Sequence, residues 1–164
     1  MSVISLNFYD DCKLCPRMCG ISRTGGVKGF CRETSDLRIA SAGLHFGEEP
    51  PITASGGSGT IFITGCNLRC AFCQNYQISQ KEMGSVVLED DFASMCLVLE
   101  ENGAENINIV TGSHAVPAIA AGLEKAKKRG LAIPVCWNSS AYETVETLSM
   151  LDGLVDLWLP DLKT

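Results

Sequence analysis

The sequence predicts an α/β fold: a partial parallel (β/α) barrel of about four βα units, preceded by a loop-rich segment that carries cysteines. Three observations predict it. From residue 60 onward, short β-branched runs alternate with amphipathic stretches, the pattern of repeated βα units. Residues 1–59 are instead rich in Gly, Cys and Pro and show little periodicity. The whole chain, 164 residues with 46% hydrophobic and 20% charged side chains, has the make-up of a globular protein able to bury a core. The expected division is therefore a cysteine-rich segment over 1–59 and a barrel portion over 60–164.

Taken in order, the first strand is expected over 60–64, Thr-Ile-Phe-Ile-Thr, running straight into a cysteine loop. A helix follows over 90–101 with Phe92, Met95, Cys96 and Leu99 on one face, and Gly103 ends it. Residues 106–110 form the second strand. Ser113 is placed to cap the next helix, whose Val116, Ile119, Ala120 and Leu123 face inward; Pro117 is tolerated in its first turn, and Gly130 closes it. A third strand is expected over 131–137, a third helix over 142–151 with Ser139 or Ser140 as caps, and a fourth strand over 154–159. Right-handed crossovers lay these strands side by side as a curved parallel sheet. The last strand would be an open edge, which suggests a chain truncated at its C-terminus.

Charge and hydropathy exclude several classes. A net charge of −6 argues against a phosphate-binding surface and hence against nucleic acid, and the short basic run 125–129 sits where a helix end favours cations. No segment is long and apolar enough to span a membrane, and the first eleven residues lack the basic start and apolar stretch of a signal peptide, so a cytoplasmic location is expected.

Nine cysteines stand out. In a reducing compartment they point to metal or redox chemistry instead of disulfides. Cys96 and Cys136 lie alone in apolar stretches and read as buried small hydrophobes. The other seven form two groups.

In TGCNLRCAFCQNYQIS, Cys66, Cys70 and Cys73 fall at C-x3-C-x2-C immediately after a strand. Three thiolates so placed can wrap one face of a cubane cluster and leave one iron without a protein ligand. Electron-transfer clusters usually have four cysteines, and structural zinc sites are usually closed by four ligands, so an open iron invites a substrate or cofactor. Phe72 offers an aromatic face beside the loop, and Asn67 and Asn75 can order it through side-chain hydrogen bonds.

This loop resembles the signature of the radical SAM (S-adenosylmethionine) superfamily, C-x3-C-x-aromatic-C. More closely, the chain resembles the iron–sulfur proteins related to pyruvate formate-lyase activating enzyme. The likeness runs through CKLCPRMCGISR, HFGEEPPI, GGSGTIFITGCNLRCAFCQNYQIS, NINIVTGSH, GLAIPVCWNSSAYETVETLSMLDG and VDLWLPDLK. The resemblance implies a [4Fe-4S] cluster held by Cys66, Cys70 and Cys73, with SAM chelating the fourth iron. Reductive cleavage of SAM would then give a 5′-deoxyadenosyl radical for hydrogen abstraction, fed by a flavodoxin- or ferredoxin-type electron donor. It implies further that Phe72 contacts the adenine and that SAM lies across the C-terminal ends of the strands. Thr111 and Ser113 (with Gly112 between them), Asn138 and Ser140 (flanking Ser139), and Asp161 and Lys163 are then the candidate cofactor-binding residues, the last two forming a D-x-K motif. The sequence departs from the family in two places. Where many members have Gly-Gly-Glu after the second strand, this chain has Val110-Thr111-Gly112-Ser113-His114, and it supplies four βα units where the family core has about six. By analogy the substrate is a glycyl-radical enzyme; a small-molecule substrate, or a non-catalytic iron–sulfur or zinc protein, are the alternatives.

Cys12, Cys15, Cys19 and Cys31 form the second group, with Gly25-Gly26 turning the chain between the third and fourth. Four sulfurs make a closed set that suits either a zinc knuckle or a second, electron-relaying cluster. His45 reads as a hydrogen-bonded structural residue, while His114 falls at the barrel rim as the first residue of a helix. Glu48 and Glu49 read as solvated, or as tying the N-terminal segment to the barrel. The stretch 55–60, SGGSGT, lacks the Lys of a phosphate loop and precedes a strand, so it reads as an entry turn.

Overall fold

The computed structural model describes residues 6–163; residues 1–5, part of the stretch read for a signal peptide, and Thr164 fall outside them. A 3₁₀ turn at Leu6–Tyr9 is followed by β1 (Arg38–His45), α1 (Pro50–Thr53), β2 (Ser58–Ile63), α2 (Tyr76–Gln80) and β3 (Ser85–Val86). Then come α3 (Glu89–Glu101), β4 (Ile107–Val110), α4 (Val116–Lys128), β5 (Val135–Ser139), α5 (Val145–Ser149) and β6 (Leu157–Pro160). The strands form one six-stranded sheet in the order β3-β1-β2-β4-β5-β6.

Strands β2, β4, β5 and β6 are mutually parallel, as the βα repeat predicts. The N-terminal segment is not all loop, however. Its β1 pairs antiparallel with β2 and with β3, so it extends the sheet across the expected boundary at residue 59. Most of β1 is exposed, so its sequence carries no alternation of polar and apolar residues to announce a strand. Two other boundaries shift. Pro134 has no N–H to give a ladder, so β5 starts at Val135, whose N–H is accepted by Asp156 Oδ2 at 2.9 Å. The third helix shrinks to α5 because Thr144, not Ser139 or Ser140, caps it by accepting the Thr147 N–H at 3.2 Å.

The parity of the strands decides which face meets the helices. Ile61, Ile109 and Trp137 are in register across β2, β4 and β5 and are essentially fully buried. With Ile63, Ile107 and Val135 they pack against Phe92, Cys96 and Leu99 of α3 and Val116, Ile119, Ala120 and Leu123 of α4. Each large side chain so buried contributes about 1.5–3 kcal/mol. Acidic residues in the first turn of α3 and lysines in the last turn of α4 oppose the helix dipoles, and Lys125 pairs with Glu89 and Asp90 at 2.9 and 3.0 Å. The basic run is therefore a helix end, as expected. Cys96 and Cys136 are buried, and burial pushes their thiols up to about 12 and about 11, which leaves both inert.

The alternate parity, Phe62, Val110, Asn138 and Leu159, forms the other face of the sheet at the C-terminal ends of the strands. Among the described residues no helix is long and apolar enough to cross a membrane.

Candidate functional site

A cavity of about 590 Å³ opens over that second face. Phe62, Ile63 and Val110 give its floor an apolar character, and the cysteine loop after β2 forms one wall through Cys66, Cys70, Phe72 and Cys73. The loops after β4, β5 and β6 supply Thr111, Asn138, Ser139, Ser140, Asp161 and Lys163. Ligands of α/β barrels bind at this end because the loops there are free to vary while the strands hold them in place.

Several interactions fix the cysteine loop. Gly65 has φ +87°, and a Cβ there would lie 2.6 Å from Glu33 Cγ and 2.8 Å from the Cys31 carbonyl oxygen. Only glycine meets both demands. Replacing it by alanine is expected to cost about 2 kcal/mol or more, read as a lower urea midpoint at unchanged m-value. After Gly65, the Leu68 and Arg69 N–H groups donate to Cys66 Sγ at 3.4 and 3.5 Å. Asn67 Nδ2 donates to the Tyr142 carbonyl at 2.7 Å, tying the loop across to the segment after β5. Gln80 Nε2 donates to the Cys70 carbonyl at 3.2 Å from behind. Asn67 therefore holds the loop through a long-range bond to another segment, not through the local bond to the loop backbone that its position suggests, while Asn75 lines the cavity.

All nine cysteines are free thiols, and among the described residues no three Cys, His, Asp or Glu side chains converge on one metal-sized point. The chemistry of the loop nevertheless fits a cluster. It offers three thiols from one short turn, Cys70 and Cys73 partly exposed toward the cavity, and two backbone amides aimed at Cys66 Sγ, as hydrogen bonds to cluster sulfurs require. Burial raises the pKa of the Cys66 thiol against the pull of those amides, so metal binding there must release a proton.

Of the predicted cofactor residues, Phe72, Thr111, Asn138, Ser140, Asp161 and Lys163 all line the cavity. Phe72 is 66% exposed, which leaves its aromatic face open at the cavity wall. Ser140 Oγ is buried yet has no hydrogen-bond partner. Asp161 and Lys163 pair with each other, and the Asp161 N–H is anchored on the Ser139 carbonyl at 2.8 Å. Thr111 adopts φ +64°, a costly conformation for a β-branched residue, at the very point where β4 enters the cavity rim.

Ser113 is the exception. It neither lines the cavity nor caps α4; its Oγ donates to Glu143 Oε1 at 2.6 Å, and the same oxygen accepts Trp137 Nε1–H at 3.2 Å. Its role is to fix Trp137 and the β5 loop. His114 is also not at the rim. It precedes α4, is buried, and its Nε2 meets the Thr64 carbonyl at 2.8 Å beneath the cysteine loop. Burial, with the nearby Arg23 cation, lowers its pKa from 6.5 to about 3. The folded protein therefore resists a proton that the unfolded chain accepts. Stability conferred by neutral His114 is complete above about pH 6.5 and is lost as pH falls toward 3, at up to about 1.4 kcal/mol per pH unit. His114→Gln should flatten that acid limb in a urea-midpoint-versus-pH series.

Two cavity residues were not anticipated. His45 and Glu48 both line it, and Glu48 Oε1 accepts from Asn108 Nδ2 at 3.2 Å, so this carboxylate ties the N-terminal segment to β4 and also faces the cavity. Their signal lay in the HFGEEPP stretch. The four N-terminal cysteines do share one neighbourhood: Cys12 and Cys19 each raise the pKa of Cys15, and Cys12 and Cys15 that of Cys31, after burial as the main cause.

The family model for the radical SAM superfamily matches residues 60–164, the stretch that builds the parallel strands, the cysteine loop and the cavity rim. The chain belongs to the radical SAM superfamily. It is also 33% identical over 166 aligned positions to uncharacterized protein MJ0674 of Methanocaldococcus jannaschii, an alignment covering 98% of this chain and 47% of that protein. The chain thus spans about half the length of that relative. No solved structure matches it. Membership in the superfamily accounts for the open three-cysteine set and the cavity beside it: members in general use a [4Fe-4S] cluster and SAM.

Proposed function

We propose that Cys66, Cys70 and Cys73 hold a [4Fe-4S] cluster, that SAM occupies the adjoining cavity, and that the protein cleaves SAM reductively for hydrogen abstraction. The observation that carries this reading is the opening of a three-thiol loop onto a cavity of about 590 Å³ at the C-terminal ends of four parallel strands. When bound, the cluster supplies the electron that breaks the sulfonium S–C5′ bond of SAM.

The chain's own residues bind, orient and exclude water. Phe72 presents a free aromatic face suited to stacking on adenine. Ser140 Oγ, buried without a partner, is a hydrogen bond waiting for a ligand. Asn138 offers an amide that can donate and accept, while the Asp161–Lys163 pair offers both charges to an amino acid's ammonium and carboxylate. Phe62 and Val110 keep the floor dry. The electron comes from a flavodoxin- or ferredoxin-type donor, and by the resemblance to activating enzymes the hydrogen is taken from a glycyl-radical enzyme.

The test is anaerobic reconstitution with iron and sulfide, followed by reductant and SAM. Chromatography should reveal 5′-deoxyadenosine and methionine in equal amounts. A reduced cluster whose electron paramagnetic resonance spectrum ignores SAM, with no deoxyadenosine formed, would refute the reading.

A further inference from the structure

The buried cation Arg23 is left unexplained by the cavity. Its side chain is 1% exposed, and it donates to the carbonyls of Glu33 at 3.1 Å and His114 at 2.8 Å, to the Thr34 carbonyl, and to Cys12 Sγ at 3.6 Å. None of these partners is a carboxylate. A guanidinium withdrawn from water needs a compensating negative charge, and neutral thiols do not provide one. Among the described residues, the groups beside it that can become anionic are the cysteines and Tyr9, whose ring lies 4.7 Å from the guanidinium with its face, not a carboxylate, toward the charge.

Local backbone geometry brings the four cysteines into one neighbourhood. The Met18 N–H returns to the Cys15 carbonyl at 3.0 Å and the Gly20 N–H to the Cys12 carbonyl at 3.0 Å, with φ positive at both Met18 and Gly20. Gly29 lies so close that a Cβ would stand 3.3 Å from Cys31 Sγ and 3.9 Å from Cys19 Sγ. A side chain there would occupy the space between sulfurs. We propose that Cys12, Cys15, Cys19 and Cys31 bind a second metal centre as four thiolates, whose net negative charge Arg23 offsets in part. Four thiolates on a zinc ion, or on an iron–sulfur cluster, leave an anion that suits one buried cation. The cysteine side chains reach it by rotating between staggered positions, since the backbone already carries them to one neighbourhood.

This centre is closed to substrate and supports the cysteine loop of the cavity. The Cys66 N–H donates to the Cys31 carbonyl at 3.4 Å, and Arg17 Nε donates to the Asn67 carbonyl at 2.9 Å while its guanidinium stacks 4.0 Å from the Phe30 ring. Whatever fixes Cys31 therefore fixes the backbone at Cys66.

The test uses the whole chain carrying Cys66→Ala, Cys70→Ala and Cys73→Ala, which removes the ligands of the first site. Elemental analysis should find either one zinc or the iron of one cluster per chain, and a visible charge-transfer band separates the two. In the unmutated chain, alkylation of Cys12, Cys15, Cys19 and Cys31 should be slow until a chelator is added and at least ten-fold faster afterward. Loss of stoichiometric metal from the triple variant, or alkylation of the four at the same rate with and without chelator, overturns the proposal. Because neither measurement involves SAM, failure here leaves the cavity reading standing, and failure of that reading leaves this one.

Discussion

Cys70→Ala is expected to abolish the SAM-responsive cluster and deoxyadenosine release while leaving the fold intact. Cys70 is partly exposed on a turn at the cavity wall and is absent from the hydrophobic core, so truncating it removes little packing. It does remove one of only three thiolates the loop offers. An open set has no spare ligand, and the loss should be close to total: roughly four iron atoms per reconstituted loop should fall to background. The far-ultraviolet circular dichroism should be unchanged, and the unfolding free energy from urea titration should stay within about 0.5 kcal/mol of the parent. If Cys70→Ala retained deoxyadenosine production, the assignment of the three ligands would be wrong. Cys19→Ala serves as the contrast: it lies outside the cavity and acts on the loop only through the second centre, so the SAM response should weaken without being abolished.

Arg23→Met should produce the largest stability loss of any single substitution outside the core. Arg23 joins three parts of the chain: Tyr9 and Cys12 of the first segment, Glu33 and Thr34 before β1, and His114 before α4. Methionine fills much of the volume yet donates nothing, so three carbonyls, those of buried Glu33 and His114 and of partly buried Thr34, lose their donor at once. Each buried acceptor left without its donor costs about 1–3 kcal/mol, against a total stability of about 5–15 kcal/mol for a typical domain. Denaturant unfolding with an unchanged m-value measures it. A loss below about 1 kcal/mol would show that Arg23 is not the clasp its contacts imply. Arg23→Lys should recover only part, since an ammonium cannot span the same fork of acceptors.

The route by which sequence led to structure differed between the two halves of the chain. In the βα half, local signals were sufficient. Buried apolar residues recur with helical spacing in α3 and α4, and Phe92, Cys96, Val116, Ile119 and Leu123 are all fully buried. The resemblance to the radical SAM superfamily, with the rule that ligands sit at strand C-termini, points to Phe72, Thr111, Asn138, Ser140, Asp161 and Lys163, and each lines the cavity. Ser113 failed because the same residue type serves as a helix cap or as a long-range donor, and only the position of Glu143 chooses between them.

The N-terminal half could not be read this way. Strand β1 pairs through its backbone with β2, and its mostly exposed side chains leave no periodic trace. Nor does an Arg in a glycine-rich loop reveal that it will be sealed beneath the barrel against His114, which lies 91 residues further on.

By itself the sequence determined the cysteine spacing, the apolar periodicity of the helices and the parallel strand succession, and with them the superfamily, because those properties are carried by neighbouring residues along the chain. The tertiary structure alone decided that the N-terminal segment is part of the sheet, that Arg23 and His114 lie beneath the cysteine loop, and that His45 and Glu48 face the cavity. Those facts depend on which distant surfaces exclude water from one another, and burial of a charge or pairing of a strand edge is a property of the assembled chain, not of any local stretch of it.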